Sequence, residues 1–216
     1  MSLFRLDASI RVTGSHSREI ADVAELAWRA VRPDAAVVRR HVGVDPIPAT
    51  VWPAAAYATH VPVEDRTQEQ RDALALAATL TDELADAEAL LFAVPLYNFG
   101  VSQHFKAWVD MVIADPRMGP RVEPVTAGKP AVLVTVRGGG YGPGSPREGW
   151  DHATGWMRRI LADVWRMDLQ VVESEFTLAE VNPALAEFKD VAAQLRTNAE
   201  ELALVHGRAL AGVQVG

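Results

Sequence analysis

Ala89-Leu90-Leu91-Phe92-Ala93-Val94, followed by Pro95-Leu96-Tyr97-Asn98-Phe99-Gly100, decides the fold. Six consecutive apolar residues make a strand and are too few for a core helix. Without polar alternation, such a strand is buried on both faces, as the central strands of parallel sheets are. The loop that follows it is aromatic. Aromatics just past a buried strand are badly placed to finish a core and well placed to wall a pocket for a planar ligand.

Outward from this strand, helical and strand patterns alternate. On the N-terminal side, Thr67-Gln68-Glu69-Gln70 is a capping box. It opens a helix to about Ala87 whose stripe is Leu74, Ala77, Ala78, Leu80, Thr81 and Leu84. Gly43–Arg66 holds four prolines. A connection this long is expected to be functional, an interface or the host of a short helix. Ala35–Val42 reads as a valine-rich strand, Ser17–Val31 as a helix capped by Ser15 or Ser17 and stopped by Pro33, and Leu3–Ala8 as the first strand. On the C-terminal side follow a helix over Ser102–Ile113, a loop over Asp115–Pro130 and a strand over Ala131–Val136. A Gly/Pro-rich loop over Gly138–Gly149, a helix over Trp150–Val164, a strand over Leu169–Phe176 and a helix from Pro183 to about Leu210 complete the chain. Five such alternations predict an α/β fold: a flavodoxin-like, doubly wound, five-stranded parallel sheet of order 2-1-3-4-5, with helices on both faces. The reading is one domain over residues 1–216, without a boundary.

Composition narrows the function. The chain has 216 residues, no cysteine and a formal net charge of −7. It therefore has no disulfide framework, thiolate zinc site, iron–sulfur cluster or cysteine nucleophile. The acidic balance argues against nucleic acid or anionic membranes as partners, although backbone N–H groups can still hold a single anion. No apolar run approaches the roughly 18 residues of a membrane span, and the acidic start Met-Ser-Leu-Phe-Arg-Leu-Asp is unlike a signal peptide. A soluble cytoplasmic protein is the expectation. The six histidines are scattered without metal-ligand spacing, and no metal site is expected. Asp110 and Asp115 read as surface carboxylates, and Trp108, Trp150, Trp156 and Trp165 as core or interface.

In a doubly wound sheet, ligands bind beyond the carboxyl ends of the strands, where the strand order reverses. Three loops lie there. Ser9-Ile10-Arg11-Val12-Thr13-Gly14-Ser15-His16-Ser17 combines hydroxyls with a helix start, the makings of a phosphate site. It lacks both G-x-x-x-x-G-K-[ST] and G-x-G-x-x-G, so a single phosphate fits better than a triphosphate or dinucleotide. The bland alternative is a serine that only caps the helix. Pro95–Gly100 either borders a planar ligand, with Asn98 as donor and acceptor, or is a tight turn. Val136-Arg137-Gly138-Gly139-Gly140 either brings backbone N–H groups to a ligand edge or is a flexible loop, and Arg137 is equally a solvated charge or a ligand contact.

At these loops the sequence resembles the FMN-dependent NADH:quinone oxidoreductases, also known as FMN-dependent NADH-azoreductases. Pro95-Leu96-Tyr97-Asn98-Phe99 stands where that family has P-M-Y-N-F, and Ser9 with Ser15-x-Ser17 matches its phosphate spacing. Asp45-Pro46-Ile47-Pro48, Thr67–Ala78, Lys106-Ala107-Trp108, Gly128-Lys129 and Arg137-Gly138-Gly139 agree in order, over most of residues 1–200. The resemblance implies FMN as bound cofactor, with Ser9, Ser15, His16 and Ser17 on its phosphate. Leu96, Tyr97, Asn98 and Phe99 would lie along the isoalloxazine, and Val136, Arg137, Gly138 and Gly139 at its pyrimidine edge. It implies NADH or NADPH as donor, a quinone or azo compound as acceptor, ping-pong turnover, no metal, and a homodimer with sites at the interface.

Three departures touch the substrate side. Val136 replaces a serine, Asp115–Pro124 lacks the aromatics of many relatives, and Ala162-Asp163-Val164-Trp165-Arg166 adds bulk and charge near the expected substrate face. Two other classes compete: a flavodoxin-like electron carrier serving a protein partner, and a flavin-free binding module. The modest charge and the long Gly43–Arg66 segment speak against the carrier; the serines and Tyr97-Asn98 speak against the module.

Overall fold

A computed structural model describes residues 2–119 and 121–213. Residues 1, 120 and 214–216 of the expected 1–216 domain lie outside the described residues.

Five parallel strands form the sheet: β1 (Ser2–Asp7), β2 (Ala36–His41), β3 (Ala89–Tyr97), β5 (Pro130–Val136) and β6 (Asp168–Ser174). A two-residue strand, β4 (Gly100–Val101), pairs antiparallel with β3. The order β2-β1-β3-β5-β6 is the expected 2-1-3-4-5 arrangement of the long strands, with β4 as an addition. The order reverses between β1 and β3.

The helices are α1 (His16–Val31), α2 (Val51–Ala58), α3 (Gln68–Asp86), α4 (Gln103–Ile113), α5 (Thr154–Arg158) and α6 (Lys189–Leu210). On one face of the sheet, Phe4, Leu6 and Phe92 pack with Leu80 and Leu84 of α3 and with Phe105 and Trp108 of α4. On the other, Leu3, Leu91 and Val134 pack with Ile20 and Trp28 of α1 and Ala199 and Ala203 of α6. Every residue of β3 up to Leu96 is buried, as its unbroken apolar run requires. Helices α1 and α6 approach so closely that a Cβ at Gly207 would lie 2.2 Å from the Ala24 carbonyl oxygen.

The capping box forms: Gln70 N–H donates to Thr67 Oγ1 at 3.2 Å, and Thr67 N–H to Gln70 Oε1 at 3.0 Å. At the other end of α3, Lys129 Nζ donates to the carbonyls of Leu84, Ala85 and Ala87 at 2.6–2.8 Å, satisfying acceptors the helix leaves open.

Several boundaries differ from the sequence reading. Gly43–Arg66 contains α2 and a 3-10 turn over Val63–Asp65. The helix expected from Trp150 starts at Thr154 and continues as π-helix over Arg159–Val164, with Trp165 N–H donating to the Ile160 carbonyl five residues back. Trp165 is buried against Trp108 with ring centroids 5.5 Å apart, so its bulk fills the core. Asp115 is buried: its carboxylate accepts from Arg117 N–H at 2.8 Å and pairs with the Arg117 guanidinium. Trp150, by contrast, is 51% exposed.

Candidate functional site

An open cleft of about 110 Å³ lies at the switch point between β1 and β3. Ser9, Ser15, His16, Ser17, Leu96, Tyr97, Val136 and Gly138 from the three expected loops meet there, together with Arg11, Thr177 and Leu178.

The first loop leaves β1 through Ala8 and turns at Gly14, whose φ of +62° suits a residue without Cβ. Ser15 occupies the N-cap position of α1 but makes no capping hydrogen bond with its side chain. Its hydroxyl lies 3.4 Å from that of Ser17, and both residues are buried. A cap is therefore not the use of Ser15. The first intrahelical bond is Glu19 N–H to the Ser15 carbonyl, so among the described residues the N–H groups of His16, Ser17 and Arg18 have no acceptor. Three orphan N–H groups, two hydroxyls bonded only to each other and the positive end of the α1 dipole form an anion cradle.

Ser9 completes the cradle. Its hydroxyl accepts from Arg11 N–H at 3.3 Å and lies 3.3 Å from Tyr97 Oη, which also accepts from Ile10 N–H at 3.2 Å. A Cβ at Gly43 would come within 2.1 Å of the Ser9 carbonyl oxygen, so glycine after β2 lets the loop pass. The Arg11 guanidinium donates to the Gly14 carbonyl at 3.1 Å.

The second loop is a β-hairpin. Tyr97 pairs with Gly100, which leaves Asn98 and Phe99 as the turn, at φ of +49° and +66°. Two positive φ values match the turn twist hairpins prefer. A phenylalanine there is strained by about 1–3 kcal/mol. Asn98 and Phe99 lie outside the cleft lining. The Phe99 ring meets Trp150 at 5.5 Å and Tyr141 at 6.3 Å, with the Arg147 guanidinium 6.0 Å from its centroid.

The third loop is ordered by its carbonyls. Those of Arg137, Gly138 and Gly139 accept from the N–H groups of Thr177, Leu178 and Phe176. The N–H groups of Gly138, Gly139 and Gly140 have no acceptor among the described residues. A Cβ at Gly138 would lie 2.7 Å from the Leu178 side chain, and one at Gly140 2.4 Å from the Phe176 ring. Side chains of the segment after β6 pack where a Cβ on these glycines would stand and would have to shift for a larger residue.

The Arg137 side chain does not line the cleft and is not solvated: the residue is 6% exposed. It donates to Asp151 at 2.6 Å, Glu173 at 2.7 Å and Thr154 Oγ1 at 3.0 Å. Burial opposes its charge and these carboxylates outweigh it, raising its pKa. Asp151 meanwhile caps α5 through the N–H groups of Ala153 and Thr154. Arg137 thus locks the glycine loop to α5 and β6. Arg11, Gly43, Thr177 and Leu178 were not among the sequence candidates. Thr177 and Leu178 follow a strand without any distinctive pattern.

The fold is a doubly wound parallel α/β sheet whose switch point presents free N–H groups and hydroxyls. A family profile described as a flavodoxin-like fold matches residues 1–199, and the chain belongs to that family. An FMN-dependent NADH:quinone oxidoreductase of Frankia alni is 40% identical over 201 residues, covering 92% of this chain and 95% of its own. In structure, an azoreductase from Bacillus anthracis superposes with a TM-score of 0.77 at 17% identity, covering 97% of this chain and 99% of its own. An FMN-dependent NADH-azoreductase of the same species, in complex with FMN, gives 0.75 at 14% identity over 98% and 100%.

Proposed function

We propose that the chain is an FMN-dependent oxidoreductase that passes two electrons from NADH or NADPH to a quinone or azo compound, in ping-pong fashion. The observation that carries this reading is the anion cradle. Ser9, Ser15, His16 and Ser17 line one cleft, where hydroxyls and the orphan N–H groups of His16 and Ser17 could hold a phosphate, and the Ser15 hydroxyl does not cap α1. The relatives named above support the rest.

The residues fit FMN. His16 adds a ring to the phosphate end, and Leu96 and Tyr97 border the planar end, with Asn98 and Phe99 in the hairpin turn beyond the cleft lining. Val136 and Arg137 bring the N–H groups of Gly138 and Gly139 to its pyrimidine edge. Bound FMN supplies two-electron chemistry at its ring, so no protein nucleophile is needed. The chain's own work is to hold the phosphate, orient the ring and place fixed donors where negative charge builds on reduction. Those donors are the glycine N–H groups, held by Arg137 and by the backbone of residues 176–178.

The unit proposed is a single domain over residues 1–216, acting in the cytoplasm as a homodimer with sites at the interface. In support, α2 exposes Trp52 and Tyr57. No helix among the described residues is long and apolar enough to cross a membrane.

An absorbance spectrum of the purified protein, before and after anaerobic NADH and NADPH, tests the reading. Flavin bands bleached by the nucleotide are expected. A colourless protein that cannot be reconstituted with FMN would overturn it. Flavin bound without turnover of NADH and benzoquinone would favour an electron carrier instead.

A further inference from the structure

His16 faces two cavities. It lines the cleft beside Ser15 and Ser17, and it also lines a second cavity of about 150 Å³ bounded by Phe176, Thr177, Ala193 and Arg196. Arg196, on α6, places Nη1 3.1 Å from His16 Nδ1. A guanidinium can only donate. Nδ1 therefore accepts, and the ring is neutral with its proton on Nε2. Among the described residues Nε2 has no hydrogen-bond partner.

Arg196 brings little net charge to the cleft. The same Nη1 lies 3.1 Å from Glu19 Oε2, and Nε lies 2.5 Å from Glu200 Oε1. Two carboxylates offset one guanidinium, so its effect on an anion beyond His16 is one of orientation. We propose that Arg196 is a positioning residue for the phosphate of the cofactor: it holds His16 in the Nε2–H form, so that the ring donates a hydrogen bond to a phosphate monoester throughout neutral pH. The proposal rests on the FMN reading above.

The charged groups around the ring are Arg196 and Glu200 from α6, Glu19 from α1 and Arg11 from the loop after β1. Glu175 and Glu180 line the second cavity. Burial, then Arg196, push the His16 pKa below its ordinary value; Glu19 opposes them and Arg11 adds to them. Burial and Arg196 thus favour the neutral ring over the imidazolium.

The test has two arms. In the first, ¹⁵N-resolved imidazole spectra are recorded on flavin-free wild-type protein, Arg196→Met and Arg196→Lys. Wild type is expected to show Nδ1 unprotonated and Nε2 protonated from pH 8 to 6. Arg196→Lys should keep that form and Arg196→Met should lose it.

In the second, FMN and riboflavin affinities are measured at pH 8 and 6. Arg196→Met should bind FMN about five- to tenfold more weakly than wild type at pH 8, the worth of one hydrogen bond, with riboflavin unchanged. The deficit relative to wild type should shrink at pH 6, where the released imidazole gains a proton and becomes a charged donor. The comparison is a ratio because the phosphate itself titrates near pH 6. A wild-type His16 protonated on Nδ1, or equal losses for FMN and riboflavin in Arg196→Met, would overturn the proposal. Wild-type protein that binds neither flavin would overturn the FMN reading instead, and the spectra of the first arm would still report on the Arg196–His16 lock.

Discussion

Tyr97 Oη lies 3.3 Å from Ser9 Oγ and accepts the Ile10 N–H at 3.2 Å, which ties the end of β3 to the loop after β1. One phenol thereby sets the distance between the phosphate end of the cleft and its planar wall. Tyr97→Phe keeps the ring, removes both bonds and leaves the Ile10 N–H without that partner. FMN affinity is expected to fall by about 1–2 kcal/mol, roughly tenfold, as two modest hydrogen bonds would dictate. Flavin fluorescence titration measures this. Since Tyr97 is only half-buried, the unfolding midpoint of the flavin-free protein should move little.

Ser15 and Ser17 carry the phosphate assignment. Replacing both by Ala should weaken FMN binding by about 1.5–3 kcal/mol, the worth of hydrogen bonds to a charged group. A helix cap would predict otherwise: losing it costs about 1 kcal/mol of stability. Ser15 makes no side-chain cap bond, so the flavin-free double variant should unfold near the wild-type midpoint. Unchanged FMN affinity with lowered stability would return these serines to a capping role.

Gly43 follows β2 and is absent from the cleft lining, yet it governs the phosphate loop. In Gly43→Ala the new Cβ would meet the Ser9 carbonyl oxygen at 2.1 Å and the Ser9 carbonyl carbon at 2.5 Å. Both are backbone atoms that cannot swing aside. Overpacking of this kind costs about 1–3 kcal/mol, and here it displaces a residue of the cradle. Urea unfolding and FMN titration should both register the change, in contrast to the Ser15/Ser17 pair.

What could be read from sequence follows from how local the signal is. The apolar run of β3 and the capping box at Thr67 are local, and both stand where expected. Helix α2 was obscured by Pro53, which sits in its first turn, where the missing N–H has no intrahelical acceptor to lose. The Asn98-Phe99 hairpin turn was ambiguous because a phenylalanine at positive φ contradicts local preference and persists only through its surroundings. Arg5 lies in the middle of β1, wholly buried, held by Asp7, Asp22 and Glu25. No window of β1 alone announces that two of those carboxylates come from α1. Arg137 is the same lesson at the site: its partners Asp151 and Glu173 arrive from later elements.

Arg137→Met tests that reading. Its removal would leave Asp151 and Glu173 without their shared cation, and breaking a buried pair costs about 3 kcal/mol or more. The unfolding free energy should fall by about that amount, read by urea denaturation. FMN affinity should fall as well, because the glycine N–H groups lose the lock that aims them. A variant of wild-type stability with impaired FMN binding would make Arg137 a direct flavin contact.

The pH dependence of stability has a definite sign. Burial holds His16, His41 and His206 below the ordinary imidazole value; Arg196 adds to the effect at His16 and Arg18 at His41. A histidine that stays neutral in the fold but takes up a proton in the unfolded chain favours unfolding as pH falls below about 6.5. Stability should therefore be highest above pH 7 and begin to decline between about 6.5 and 5.5. A second decline belongs to Glu25, Asp115 and Asp151. Burial alone would raise these carboxyls, but it is outweighed by Arg29, Arg39 and Arg5 at Glu25, by Arg117 at Asp115, and by the Thr154 and Ala153 N–H groups with Arg137 at Asp151. Their stabilisation is complete above the unfolded carboxylate range and is lost only below about pH 4. Thermal unfolding of the flavin-free protein from pH 8 to 3.5 should show two steps. His206→Gln and His41→Gln should flatten the first and leave the second. A single decline confined to pH values below about 4.5 would mean that these imidazoles titrate alike in the folded and unfolded chains.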